Sequence, residues 1–225
     1  VTIYNLVAAE EFLNHKGNYY KNLYQKAQDS QGKKVPEGIF REEVQTPENS
    51  IEEVFQNIQE RLTDKESVNA EYEKLENFAE NILNNCIKFN TSSFDIRSYA
   101  LTFKQIQVCV AKAKEENYEI PVIIGDEITS IRLKIIRDEK EAGTVSVSMD
   151  TDAFGRSIAD FSLKENVVSG YVVCQNKENT FKMNQVLSDF KEKLAGEGLT
   201  LNMEETQVIT NSVFDLDVKE QKRSE

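Results

Sequence analysis

The sequence predicts an α+β protein: an N-terminal helical region with an antiparallel helical hairpin, followed by a β-β-β-β-α-β sheet domain. Two apolar stripes at helical spacing, Val68 to Cys86 and Ile96 to Ala113, predict the hairpin. Near Tyr118 the apolar period changes from about 3.6 residues to two, the change from helix to strand. Runs of helices followed by runs of strands are the pattern of segregated α+β folds. The expected domains are a helical one over residues 1–118, a strand-rich one over 119–212, and a charged tail over 213–225.

The first segment, Ile3 to Gln28, places Leu6, Ala9, Leu13, Tyr20, Leu23 and Ala27 on one helix face, with Gly17 as an interruption. The polar stretch from Asp29 to Glu48, with two glycines and two prolines, reads as a long loop. Thr46-Pro47 offers an N-cap before a proline at the first helical position. Ile51, Val54, Phe55, Ile58 and Leu62 then mark a short amphipathic helix. In the next helix Val68, Tyr72, Leu75, Ala79, Ile82 and Cys86 recur in steps of three and four. Asn90 to Ser93 breaks that pattern, and Ile96, Tyr99, Phe103, Ile106, Val110 and Ala113 resume it.

Ile120 to Gly125 is a lead-in to the strands. Ile131, Leu133 and Ile135 alternate with Arg132 and Lys134, as a half-buried strand does. Val145, Val147 and Met149 alternate with serines, and Ala159, Phe161 and Leu163 form a third set. Lys164-Glu165-Asn166 supplies a turn into Val168 to Cys174. Met183, Val186, Leu187, Phe190 and Leu194 restore the helical period, which stops at Gly196 and Gly198. Leu199 to Ile209 alternates again as one closing strand, and the tail from Asp215 to Glu225 reads as a frayed, charged end.

A chain of 225 residues can bury roughly 70–75% of its unfolded surface, enough to fold without disulfides or metal. With 39% hydrophobic and 29% charged residues it is globular, not disordered. The formal net charge is −12, and acidic residues outnumber basic ones on both sides of Tyr118. A phosphate backbone or an anionic membrane would be repelled, so nucleic acid is not an expected partner. Cys86, Cys109 and Cys174 show no paired spacing and are expected as reduced, buried thiols in the cytoplasm. No apolar run approaches the ~20 residues needed to span a bilayer, and no signal peptide is visible.

Catalytic machinery is not expected. His15 is the one histidine, so Ser-His-Asp and Cys-His arrangements and a His/Cys zinc site lack material. Two S-x-x-K strings, Ser30 to Lys33 and Ser188 to Lys191, lack the companion motifs of serine β-lactamases. Asp150-Thr151-Asp152-Ala153-Phe154-Gly155 has the start of a calcium loop, but Phe161 stands where the bidentate Glu should be. The nine glycines form no phosphate cradle. No cofactor or metal is expected.

From Val145 to about Val208 the chain resembles the C-terminal domain of flagellar hook-length control proteins. Val145-Ser146-Val147-Ser148-Met149 resembles that family's first strand, and Phe154-Gly155-Arg156-Ser157-Ile158 stands where its leucine-glycine turn falls. Val168 to Cys174, Met183 to Leu194 and Gly198-Leu199-Thr200-Leu201 are similar to its next strand, helix and glycine-led closing strand. Phe154 replaces the leucine, Asp160 adds an acid within a strand, and Ile131 to Ile136 is an additional strand. The chain as a whole is similar to proteins of anaerobic Gram-positive bacteria.

The resemblance implies a non-enzymatic module that binds an export gate and switches its substrates. It implies partner contact at Asp152, Phe154, Gly155 and Arg156, with Gly155 allowing the tight turn and Phe154 packed beneath it or offered to the partner. It also implies export through a flagellar-type secretion system as the alternative to a cytoplasmic location. Two other functions compete. A helical adaptor or scaffold would use the Val68 to Cys86 stripe, and a carboxylate-only hydrolase would need two convergent acids with separated pKa values.

Overall fold

The computed structural model describes residues 3–13, 18–32, 50–88, 93–125, 127–137, 142–151, 155–175, 177–203 and 207–208. They divide into two compact units, Val1–Ser130 and Ile131–Glu225. The order of elements is α+β as the periods predict, five helices before the strands and one helix among them.

The first unit holds α1 (Ile3–Leu13), α2 (Tyr19–Gly32), α3 (Ile51–Glu60), α4 (Lys65–Lys88), α5 (Ser93–Lys114) and β1 (Asn117–Ile124). α4 and α5 form the predicted hairpin. Every α4 stripe residue is buried, from Val68 and Tyr72 at 0% exposure to Cys86 at 8%. The stripe is therefore spent within this unit. α5 departs from a simple stripe: Thr102, Gln105 and Cys109 are buried beside Tyr99, Ile106, Val110 and Ala113, while Ile96 and Phe103 are only half-buried. The reason is its position. α5 touches α1, α2, α4 and β1, so it is covered on more sides than one heptad seam supplies. Its Gln105 amide donates to the Glu11 carboxylate of α1.

Two local expectations are corrected. Among the described side chains of α1 the buried ones are Ala8 and Phe12, while Leu6 is 61% exposed and Ala9 half-buried; the Leu13 side chain lies outside the described residues. α1 ends at Leu13 and α2 starts at Tyr19, so the two helices need not share one face. Phe12 and Tyr19 stack across that break, ring centroids 6.5 Å apart. The N-cap of α3 is Ser50, whose Oγ accepts from the Glu53 N–H at 3.2 Å. Ser50 and Glu53 have the spacing of a capping box, which starts the helix at Ile51. Thr46, Pro47, His15, Gly17 and Lys33 lie outside the described residues.

The second unit holds most of β2 (Glu127–Arg137), then β3 (Gly143–Thr151), β4 (Gly155–Lys164), β5 (Val167–Cys174), α6 (Lys177–Gly196), β6 (Thr200–Met203) and β7 (Gln207–Val208). β2 to β5 form an antiparallel meander, and β6 and β7 both lie parallel to β5. The single closing strand expected over Leu199 to Ile209 is thus two short strands, with residues 204–206 and Ile209 outside the described residues. A parallel partner requires a crossover, and α6 supplies it.

The registers sort the side chains cleanly. Leu133, Val147, Ala159 and Val172 share one row, and Ile135, Val145, Phe161 and Gly170 the next, all on one face. The other face carries Lys134, Ser146, Asp160 and Tyr171 in one row, with Tyr171 donating to Asp160 Oδ2 at 2.6 Å. Lys164 pairs with Val167, so Glu165 and Asn166 make a two-residue turn, Glu165 at φ 55°. At the end of α6, Leu199 N–H reaches Leu194 carbonyl at 2.9 Å and Gly198 N–H reaches Ala195 at 3.1 Å. With Gly198 at φ 77°, this is the Schellman motif its glycine predicts.

Candidate functional site

Of the four residues singled out for partner contact, Gly155 and Arg156 are described and Asp152 and Phe154 lie outside the described residues. Thr151 pairs with Gly155, and the residues between them, 152–154, lie outside the described residues. Gly155 has φ 61°, a conformation that costs a residue with Cβ about 1–2 kcal/mol. A Cβ there would also meet Gln175 Oε1 at 3.1 Å. The same Oε1 accepts from the Arg156 N–H at 3.1 Å, and the Gln175 N–H donates back to the Arg156 carbonyl at 3.0 Å. Gln175 therefore locks the end of β5 to the start of β4. Gly155, at positive φ and with Gln175 Oε1 where its Cβ would be, suits that junction.

The apolar sheet face is covered unevenly. Beneath α6, Val168, Val172 and Cys174 are buried. Along the same row, burial falls from Val172 at 2% exposure to half-buried Ala159, Val147 and Leu133. A helix is roughly 10 Å across and strands are spaced about 4.8 Å apart, so one helix shields about two strands. Phe161 of β4 meets Phe190 of α6 with ring centroids 5.9 Å apart. That contact shows which flank of α6 looks toward β4, and on it Val186 is 59% and Phe190 36% exposed. The result is an apolar groove, with α6 as one wall and the β4–β3–β2 face as its floor.

The period alone did not find two buried polar clusters in the first unit. The Tyr20 hydroxyl of α2 and the Tyr72 hydroxyl of α4 both donate to the Glu119 carbonyl of β1, the latter at 2.6 Å. Burial, and then each phenol's charged or ionisable neighbours, push both hydroxyls well above the usual 10.0. Gln59 Nε2 donates to the Pro121 carbonyl at 2.8 Å. Carbonyls two residues apart point to the same side of a strand, so side chains of three helices satisfy one edge of β1. The second cluster surrounds Glu71, fully buried, with Arg61 and Lys74 each at 2.8 Å and Asn57 Nδ2 at 3.4 Å. Its two cations are only half-buried, so the carboxylate is neutralised from the solvent side. Both clusters bind elements of the helical unit together. A tyrosine on a helical stripe announces a buried hydroxyl, but not the strand carbonyl that will accept from it.

Cys86, Cys109 and Cys174 are buried, and none of the three is in a disulfide. Among the described residues no group of three His, Cys, Asp or Glu could hold a metal ion. The calcium-type string is flanked by strands β3 and β4. Ser188 and Lys191 of the second S-x-x-K string are exposed on α6. Among the described residues no helix is long and apolar enough to cross a membrane. No family model, curated protein or solved structure matches the chain.

Proposed function

We propose that the chain is a non-enzymatic protein-binding module whose second unit works as a hook-length control domain and contacts a secretion export gate from the cytoplasmic side. The observation that carries this reading is the half-exposed apolar face running from β4 to β2. Apolar area left open to water costs roughly 25 cal/mol per Å², which a partner recovers when it covers the face. The succession β3, β4, β5, α6, β6 and the left-handed Gly155 support the hook-length kinship, since that family has strand, turn glycine, two strands, helix and closing strand. The net charge of −12 supports a protein partner over a nucleic acid.

The test is retention of the full chain by a purified export-gate domain. Retention is expected for the wild type, with weakening in Phe154→Ala, which leaves the locked Gly155–Gln175 junction intact. Gly155→Val is expected to weaken it further by distorting the turn. No retention above background removes the flagellar reading.

A further inference from the structure

We propose that Gln175 is the positioning residue of the contact segment: its carboxamide stands in for a strand carbonyl in the last rung between β4 and β5, and so sets Gly155 and Arg156 for the partner. The inference rests on the partner-contact reading and adds the residue that holds the contact in place.

The rung mixes backbone and side chain. Ser157 pairs with Cys174, so the next pair along the ladder is Arg156 with Gln175. In a hydrogen-bonded antiparallel pair the two residues exchange both N–H···O bonds through their backbones. Here the bond from the Gln175 N–H to the Arg156 carbonyl, at 3.0 Å, is of that kind. The return bond runs instead from the Arg156 N–H to the Gln175 side-chain Oε1, at 3.1 Å. The cause is chain direction. α6 begins at Lys177, two residues on, so the backbone leaves the ladder after Gln175. The carboxamide reaches back and gives Arg156 the acceptor that the departing strand no longer supplies.

Gly155 fits the same arrangement. Oε1 lies 3.1 Å from where its Cβ would be, so the missing side chain is the space the amide oxygen uses. Its φ of 61° admits the turn into β4 at that point. On the other side Arg156 pairs with Asp150 of β3. Arg156 is thus held between β3 and β5, and half of the β5 hold comes from one exposed side chain. Losing that acceptor frees the Arg156 N–H at a strand end, where local opening takes little free energy, while the core beneath α6 is untouched. A contact segment that is already fixed avoids the ordering cost of binding, and this is how Gln175 acts on affinity without touching the partner.

The test titrates the purified export-gate domain into the full chain carrying Gln175→Met, which keeps the length and removes the acceptor, and Gln175→Glu, which keeps a carboxylate oxygen for the Arg156 N–H. Gln175→Met is expected to weaken binding about threefold to tenfold. It should also speed hydrogen exchange at the Arg156 amide by about fivefold, with the thermal transition unchanged. Gln175→Glu should restore both to within about twofold of the wild type.

Equal affinity of Gln175→Met and the wild type overturns the positioning role. Equal weakening by Met and Glu overturns it too, because the acceptor is then irrelevant. A thermal transition lowered by Gln175→Met in step with the lost affinity makes the residue structural only, with the same consequence. No retention of the wild type removes the contact reading itself and the positioning role with it, whereas retention of wild type and Gln175→Met alike removes the positioning role alone.

Discussion

At the scale of the residue, the sharpest constraint is Gly170 in the middle of β5. A Cβ there would lie 2.1 Å from the Asp160 carbonyl and 2.7 Å from the Phe161 ring. Phe161 lies across the glycine on the neighbouring strand, so the missing side chain is the space the ring uses. Gly170→Ala is expected to destabilise the second unit by about 1–3 kcal/mol, because backbone and a packed ring must both move. Gly196→Ala meets nothing within 4 Å and should cost little, which makes it the matched control in chemical denaturation. Equal effects of the two would contradict the packing. The sequence hints at this only weakly. Glycine between Ser169 and Tyr171 reads as a break in alternation, while the ring that fills its place is nine positions earlier.

Elements were the most legible level, because a buried face needs a period. All six α4 stripe residues and all four buried residues of α3 fall where the spacing puts them. The misses have one physical source: period reports which face is covered, not how many neighbours cover it. α5 buries Thr102 and Gln105 because four elements surround it, and α1 turns a different face because the chain breaks before Tyr19. β1 is the clearest case. Its period changes at Tyr118, yet it is anchored on helix side chains, and the division into units falls after Ser130. Of the candidate site, the left-handed backbone at Gly155 was legible from residue type, whereas the uneven cover of the sheet required knowing how little of it one helix shields.

The double acceptor on β1 makes a prediction at this scale. Tyr20→Phe or Tyr72→Phe alone should cost about 1 kcal/mol, since the other phenol still serves the Glu119 carbonyl. The double variant should cost more than the sum, by about 1–3 kcal/mol, because a buried carbonyl is then left without a donor. A double-mutant cycle by denaturant unfolding measures the difference. The pH dependence follows from the raised phenols. Both stay protonated when folded above 10.0, where unfolded tyrosines ionise. Their contribution is complete below pH 10 and is lost as the pH rises toward their folded values. Phenolate absorbance should show that Tyr20 and Tyr72 ionise only as the protein unfolds.

For the whole molecule, the boundary can be tested directly. Residues 1–130 keep β1 with the phenols and with Gln59, whereas residues 1–118 remove their acceptors. The longer fragment should melt cooperatively by circular dichroism. The shorter should melt at lower temperature and over a broader range, with Tyr20 and Tyr72 holding unsatisfied hydroxyls. A fragment of 1–118 as stable as 1–130 would show that β1 is dispensable to the helices.

The separation of 99 positions between Tyr20 and Glu119 also has a consequence for synthesis. Helix α2 emerges from the ribosome well before the carbonyl that it shares with α4. Until β1 follows, the nascent helical segment carries two phenols facing an empty seat, and so it stays loose and open to chaperones. Closing so long a loop late is slow compared with forming the local α4–α5 pair. The last strand of the first unit therefore acts as the latch on its maturation, and a pause in translation just before Asn117 would prolong the vulnerable stage.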